Sequence, residues 1–245
     1  GAAGERKRLL VAPPPRLAAA PSVSPGLELA AEGVGEAGGG GAGGERRVFL
    51  SGQPVISPAS CAAIIRACEE HVAACGGWST QRHTSVPTTD LEVRSVEAVR
   101  RCFVEALGAA VFPFLEEAYA ASLGATRARL RVWDAFVVRY DATAQRSLPL
   151  HQDDSHLSLT IALNAGDEFD GGGTGFADVH GGSRASPLVV QPRLGHAVAF
   201  PGALWHGGEP ITRGRRYVIA AFLWVASEAA VEAEALEARS LPSPP

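Results

Sequence analysis

The chain has 245 residues, 46% of them hydrophobic and 20% charged, enough for one catalytic domain with a tail and too few for two large ones. Its formal net charge of −4 gives no sign of nucleic-acid binding, and no apolar run of the roughly 18 residues that a membrane span needs is present. Of the 22 basic residues 21 are arginine, and Lys7 is the only lysine, which excludes Schiff-base catalysis, pyridoxal phosphate attachment and a P-loop phosphate clamp from the folded part. Methionine is absent, so the chain reads as a fragment or a processed product. A missing leader then carries no information, and the compartment stays open between cytoplasm and endoplasmic reticulum lumen.

Residues 1–45 are mostly Ala, Gly and Pro and cannot bury enough apolar area to offset the entropy of ordering, so a disordered tail is expected. Folded structure is expected over 46–226. A short strand at Val48–Leu50 precedes a helix with Ser57 as N-cap and Pro58 at its first position, ending at Gly76-Gly77. Cys61, Cys68 and Cys75 are seven apart on it. At ~1.5 Å rise per residue they stand roughly 10 Å from one another, beyond disulfide reach, so buried thiols are expected. The loop GGWSTQRHTSVPTTDLEV either reaches over a site as a lid or caps the second helix. That helix is expected over Ser95–Ala121, with Val99, Phe103, Leu107, Val111 and Leu115 as a buried stripe and a kink at Pro113. Residues 57–124 are thus a helical support.

Beyond Gly124 the pattern turns to strands: Trp133–Tyr140, Leu157–Leu163, Leu188–Gln191, Ala197–Phe200 and Tyr217–Val225, separated by glycine-rich turns. Helices followed by many short strands predict an α+β domain whose β part, 130–226, is a sandwich or barrel. Residues 227–245 are read as a C-terminal helix, Ser227–Ser240, and a Pro-rich end.

Three features of the strand-rich half belong together. His151 and Asp153 stand two apart in LPLHQDDSH, and residues i and i+2 of extended chain share a side. His206, in FPGALWHGG, completes a two-histidine, one-carboxylate face of the kind that holds non-haem Fe(II) with positions left open. Arg216, in TRGRRYVIAAFLW, lies an even ten residues beyond His206, so strand register turns it to the same interior, where a guanidinium can grip a carboxylate through two parallel hydrogen bonds. Alternation puts Arg215 on the opposite face and Arg213 in the preceding turn. The bland alternatives are a polar surface turn, a satisfied histidine at a strand end, and a surface ion pair for Arg216.

The stretch from FVVRY through SLPLHQDDSHLSLTIALN and GGGTGF to GHAVAFPGALWHGGEPITRGRRYVIAAFLW resembles the Fe(II)- and 2-oxoglutarate-dependent dioxygenases of the prolyl 4-hydroxylase-like group, and most of all the catalytic domain of collagen lysyl hydroxylases. The resemblance implies a double-stranded β-helix (jelly-roll) core, with His151, Asp153 and His206 as iron ligands and Arg216 on the distal carboxylate of 2-oxoglutarate. Tyr140 and Thr174 match positions whose hydroxyls assist the cosubstrate, although lysyl hydroxylases carry cysteine where Thr174 stands. It further implies O2 as co-reactant, succinate and CO2 as coproducts, and dependence on L-ascorbate. The substrate implied is a peptide or small molecule, with peptidyl proline or lysine as the analogy; oligomeric state stays open. Asp153 speaks for hydroxylation over halogenation, because halogenases of this class leave that position to a halide. Asp154 is expected to point away from Asp153, and His156 to face solvent. A metal-binding jelly roll without turnover and a zinc hydrolase, with Asp154 as its base, are the rival readings.

Overall fold

The computed structural model of the chain describes residues 27–29, 48–83, 85–177, 179 and 183–240. Among them are twelve strands: β1 (Leu27–Leu29), β2 (Val48–Leu50), β3 (Asp90–Glu92), β4 (Leu130–Asp141), β5 (Leu148–His151), β6 (Leu157–Ala162), β7 (Phe169–Gly171), β8 (Thr174–Phe176), β9 (Leu188–Val190), β10 (Ala197–Phe200), β11 (His206–Gly208) and β12 (Ile211–Val225). The helices are α1 (Pro58–Cys75), α2 (Glu97–Ala106), α3 (Phe112–Leu123) and α4 (Glu228–Ser240). A π-helical stretch, Leu107–Val111, joins α2 to α3.

The strands form two antiparallel sheets. The major sheet runs β1-β2-β10-β6-β12-β4-β3 with β7 against β12, and the minor sheet runs β5-β11-β8-β9. Within the stretch 1–45 the structure describes Leu27–Leu29, whose backbone pairs with β2. The reason is the outer edge of β2: β10 takes one side, and β1 supplies hydrogen bonds that the other side would lack. The rest of that stretch lies outside the described residues, as do 241–245.

The helical half follows its local signals. Ser57 Oγ accepts the Ser60 N–H at 3.1 Å at the start of α1, and Gly76, at φ 90°, ends it in a conformation that glycine adopts without a Cβ penalty. The stretch expected as one helix over 95–121 divides at the π turn, where the Phe112 N–H reaches back to the Leu107 carbonyl. Pro113 accounts for this: its ring collides with the carbonyl four residues earlier unless the helix widens.

Parity along β12 separates support from site. Tyr217, Ile219, Ala221 and Leu223 join α1, α2 and α3 in the main core, with Ile64, Phe103 and Leu115 among the partners. Arg216, Val218, Ala220 and Phe222 face the other way, into a cavity between the sheets. Each apolar side chain buried beneath the helices contributes about 1.5–3 kcal/mol, so the major sheet is a stiff floor for the site. Apolar clusters flank the cavity, one with Phe176, Val198 and Phe200, the other with Phe136, Phe169 and Ile211.

Burial divides the four free cysteines. Cys61 and Cys68 are buried, Cys102 is half-buried, and Cys75, the last residue of α1, is exposed, which corrects the expectation for that thiol. Burial raises the Cys61 thiol to about 11 and the Cys68 thiol to about 12. A maleimide at neutral pH is therefore expected to modify Cys75 first and to reach Cys61 and Cys68 only on unfolding, as read by intact mass. Fast labelling of Cys68 in the folded protein would contradict this packing.

Candidate active site

Two strands of the minor sheet set the centre. His151 ends β5, His206 opens β11, and the two are directly paired residues of that antiparallel ladder. Their rings lie 4.4 Å apart between centroids. Asp153 follows β5 by two residues, and its backbone N–H donates to the Gly202 carbonyl at 2.8 Å. One donor atom from each of His151, Asp153 and His206 lies within 4.8 Å of the others. His151 Nε2 is 3.5 Å and His206 Nε2 3.2 Å from the Asp153 carboxylate.

The chemistry of this set suits a divalent cation. His151 Nδ1 faces the Pro149 carbonyl and His206 Nδ1 the Leu204 carbonyl, each at 2.8 Å. An Nδ1–H donated to each carbonyl leaves both Nε2 atoms turned to the carboxylate, where a proton or a metal ion satisfies them. Burial, reinforced by His206, holds His151 below the ordinary histidine range, so its lone pair stays available at lower pH. Burial disfavours a charged Asp153, but hydrogen bonds from His206 and Ser158 outweigh it and keep the carboxyl below its usual value.

Across the cavity, on the major sheet, Arg216 of β12 is paired with Tyr140 of β4. The guanidinium carbon sits 5.0 Å from the centre of the Tyr140 ring. Arg216 is only 4% exposed and has no carboxylate partner among the described residues. Burial disfavours its charge, with Tyr140 offsetting part of the cost. An unpaired buried cation is expensive, and the other two arginines of the segment are placed differently. Arg215 is paired with Asp141, and exposed Arg213 with Asp170. Arg215 thus takes the opposite face, as expected. Arg213 does not lie in a turn: β12 begins at Ile211, and Arg213 pairs with β7. The even spacing of His206 and Arg216 is also not what brings them together, because the two residues lie on different sheets and meet across the gap.

The cavity measures about 490 Å³ and is lined by all three donors together with Arg216, Tyr140 and Thr174. Thr174 is buried on β8, opposite Gly208 of β11. Thr160, on β6 of the major sheet, holds a buried Oγ1 with no hydrogen-bond partner among the described residues. A Cβ at Gly208 would overlap the Tyr140 hydroxyl and stand 2.7 Å from its ring. Gly208→Ala is therefore expected to dislodge Tyr140 at about 1–3 kcal/mol, read as a lower urea midpoint. Gly166→Ala, where nothing lies within 4 Å, is the control.

The loop before β3 supplies the outer wall. Arg82 binds Asp90 at 2.7 Å, Asp134 at 2.9 Å and Glu92 at 3.2 Å, and the His83 ring stacks 4.7 Å from Phe136. Both residues line the cavity, so this loop reaches over the site. Asp154 is exposed at the rim and outside the three-donor group. His156 is exposed, stacked on Trp224, and accepts the Val225 N–H at 3.0 Å, away from the cavity. Ser158 was not anticipated at all. The alternation of Leu157, Leu159 and Ile161 places Ser158 and Thr160 on the other face of β6, and that was the signal for it.

Comparison with known proteins agrees with this geometry. Residues 135–224 match the model of the 2OG-Fe(II) oxygenase superfamily, and this stretch holds the three donors together with Arg216, Tyr140 and Thr174. Fe(2+), 2-oxoglutarate and O2 are the reactants that this match implies. Over 182 residues, 69% of this chain, the sequence is 32% identical to the multifunctional procollagen lysine hydroxylase and glycosyltransferase of Rattus norvegicus, covering 22% of that protein. It is 31% identical to procollagen-lysine,2-oxoglutarate 5-dioxygenase 1 of Gallus gallus over the same length, covering 23%. The chain thus spans under a quarter of these relatives. Among solved structures, the non-haem alpha-ketoglutarate-dependent carbocyclase SnoK from nogalamycin biosynthesis superposes with a TM-score of 0.53 at 15% identity, covering 82% of this chain and 89% of that one. A 2OG-Fe(II) oxygenase-family oxidoreductase from Burkholderia pseudomallei gives 0.51 at 17% identity, with 74% and 88% covered. The two facing sheets are the jelly roll of that superfamily, as the resemblance implied. No helix of the described residues is long and apolar enough to cross a membrane.

Proposed function

We propose that the chain is an Fe(II)- and 2-oxoglutarate-dependent dioxygenase that hydroxylates a C–H bond of a peptide substrate. The observation that carries this reading is Arg216, a buried guanidinium with no carboxylate partner among the described residues, in one cavity with three convergent metal donors. His151, Asp153 and His206 would hold the iron, occupying one face and leaving the rest open. Arg216 would bind the distal carboxylate of 2-oxoglutarate by two parallel hydrogen bonds, which also neutralise the buried charge. Tyr140 and Thr174 would offer hydroxyls along the cosubstrate. Bound iron supplies the redox chemistry that couples oxidation of 2-oxoglutarate to succinate and CO2 with insertion of one oxygen atom into the substrate. The protein's own part is to align the reactants and exclude water: Phe136, Phe222 and His83 wall the outer cavity with rings.

Peptidyl lysine is the substrate class that the named relatives favour, with peptidyl proline as the alternative, and ascorbate is the natural reductant for iron oxidised in uncoupled turnover. The test is mass spectrometry of collagen-like peptides carrying lysine or proline, incubated with Fe(II), 2-oxoglutarate and ascorbate under air. The expected result is a gain of one oxygen per succinate released. Succinate formation with neither peptide modified would overturn the substrate assignment and leave the oxygenase reading standing.

A further inference from the structure

The Asp153 carboxylate is held by more than its two histidine neighbours. Ser158, on the cavity face of β6 and 2% exposed, donates its Oγ–H to Asp153 Oδ2 at 2.5 Å. Ser155 Oγ lies 3.0 Å from Ser158 Oγ. A hydroxyl carries one hydrogen, so with that of Ser158 committed to the carboxylate, Ser155 must be the donor in the second bond. The relay therefore runs one way, Ser155 to Ser158 to Asp153, and each bond polarises the next.

The backbone closes the arrangement from the other side. Asp153 N–H binds the Gly202 carbonyl at 2.8 Å, which fixes the main chain beneath the carboxylate. Gly202 approaches so closely that a Cβ there would overlap Ser155 Oγ and stand 2.5 Å from the Ser155 carbonyl oxygen. The Pro201-Gly202 turn thus packs directly against Ser155.

We infer that Ser158 is a positioning residue of the metal centre, fixing the rotation of the Asp153 carboxylate through the Ser155–Ser158–Asp153 relay. This rests on the metal-binding reading of His151, Asp153 and His206. The two histidines come from paired positions of rigid strands, whereas Asp153 sits on a loop beyond β5, with a side chain free to rotate about two torsions. Orientation is thus least secure at the carboxylate, and there the structure adds a buried, directional donor. Hydrogen-bonding partners behind metal ligands typically govern affinity by 10- to 100-fold.

The test is anaerobic titration of the full chain with Fe(II), with the melting temperature of the metal-free protein measured alongside. Ser158→Ala is expected to weaken Fe(II) binding by about tenfold or more, Ser155→Ala by a smaller factor, and Ser158→Thr, which keeps the hydroxyl, is expected to recover most of the affinity. A merely structural role would lower the melting temperature and leave metal affinity unchanged in the folded fraction. Wild-type affinity in folded Ser158→Ala overturns the inference. Should Ser158→Ala not fold, Ser155→Ala decides: unchanged affinity there overturns it equally. A wild-type chain that binds no Fe(II) overturns the metal centre itself, and with it this inference, and so is told apart from a failure of the relay alone.

Discussion

Replacing Arg216 by alanine is expected to weaken 2-oxoglutarate binding by about 2–5 kcal/mol, the usual loss when one partner of a buried charge pair is removed. At about 1.4 kcal/mol per decade, that is some 30-fold to several thousand-fold. Fe(II) binding should persist, since Arg216 stands on the opposite sheet from the two histidine donors. The ligand-free protein should not lose stability in parallel. Arg216 is a buried cation with no carboxylate partner among the described residues, and deleting such a charge relieves a desolvation cost. Isothermal titration with 2-oxoglutarate and Fe(II), together with thermal melting, reads both effects. Unchanged cosubstrate affinity would show that Arg216 is the wrong anchor. Arg216→Lys retains charge but loses the paired, planar donors, so it should fall between wild type and alanine.

The second large effect is expected at Asp153. Asp153→Ala should lower Fe(II) affinity by at least about 100-fold, more than the loss of any residue acting behind a ligand, and abolish succinate formation. It removes the only carboxylate in the three-donor group and leaves two neutral imidazoles facing a doubly charged ion. It also strands the Ser158 hydroxyl, which now donates to Asp153, so a modest loss of stability should accompany it. Full metal affinity in this variant would rule Asp153 out as a ligand. Asp154 is the instructive control: exposed at the rim and outside the donor group, it should be replaceable without effect on metal binding.

Elements with strong patterning were legible in the sequence: α1 with its cap and terminal glycine, the long strands β4 and β12, and the apolar runs of β6 and β10. The short strands β5, β7, β8 and β11 were not. Each is three or four residues, contains proline or glycine, and is defined by its partner rather than by alternation. Three of them, β5, β8 and β11, join β9 in the minor sheet that carries both histidines, so the residue types of the site were readable while their scaffold was not. The parity argument for Arg216 picked out, of three arginines, the one that lines the cavity, but for an incomplete reason: alternation within β12 does turn Arg216 inward and Arg215 outward, whereas counting from His206 has no meaning once the chain changes sheets. Pairing across space was invisible for the same reason. The contact of Tyr140 with Arg216, and the approach of Gly208 to Tyr140, join segments far apart in the chain. The loop at 78–90 remained undecided because its position depends on Arg82 finding Asp134, a residue 52 positions away.

The most direct test of the central claim is succinate release from 2-oxoglutarate by the chain with Fe(II) under air, compared with the same protein lacking iron and with Asp153→Ala. The account predicts iron-dependent succinate from the wild type, slow without a primary substrate, and none from the variant. No succinate from folded, iron-loaded wild-type protein, with or without candidate peptides, would contradict it.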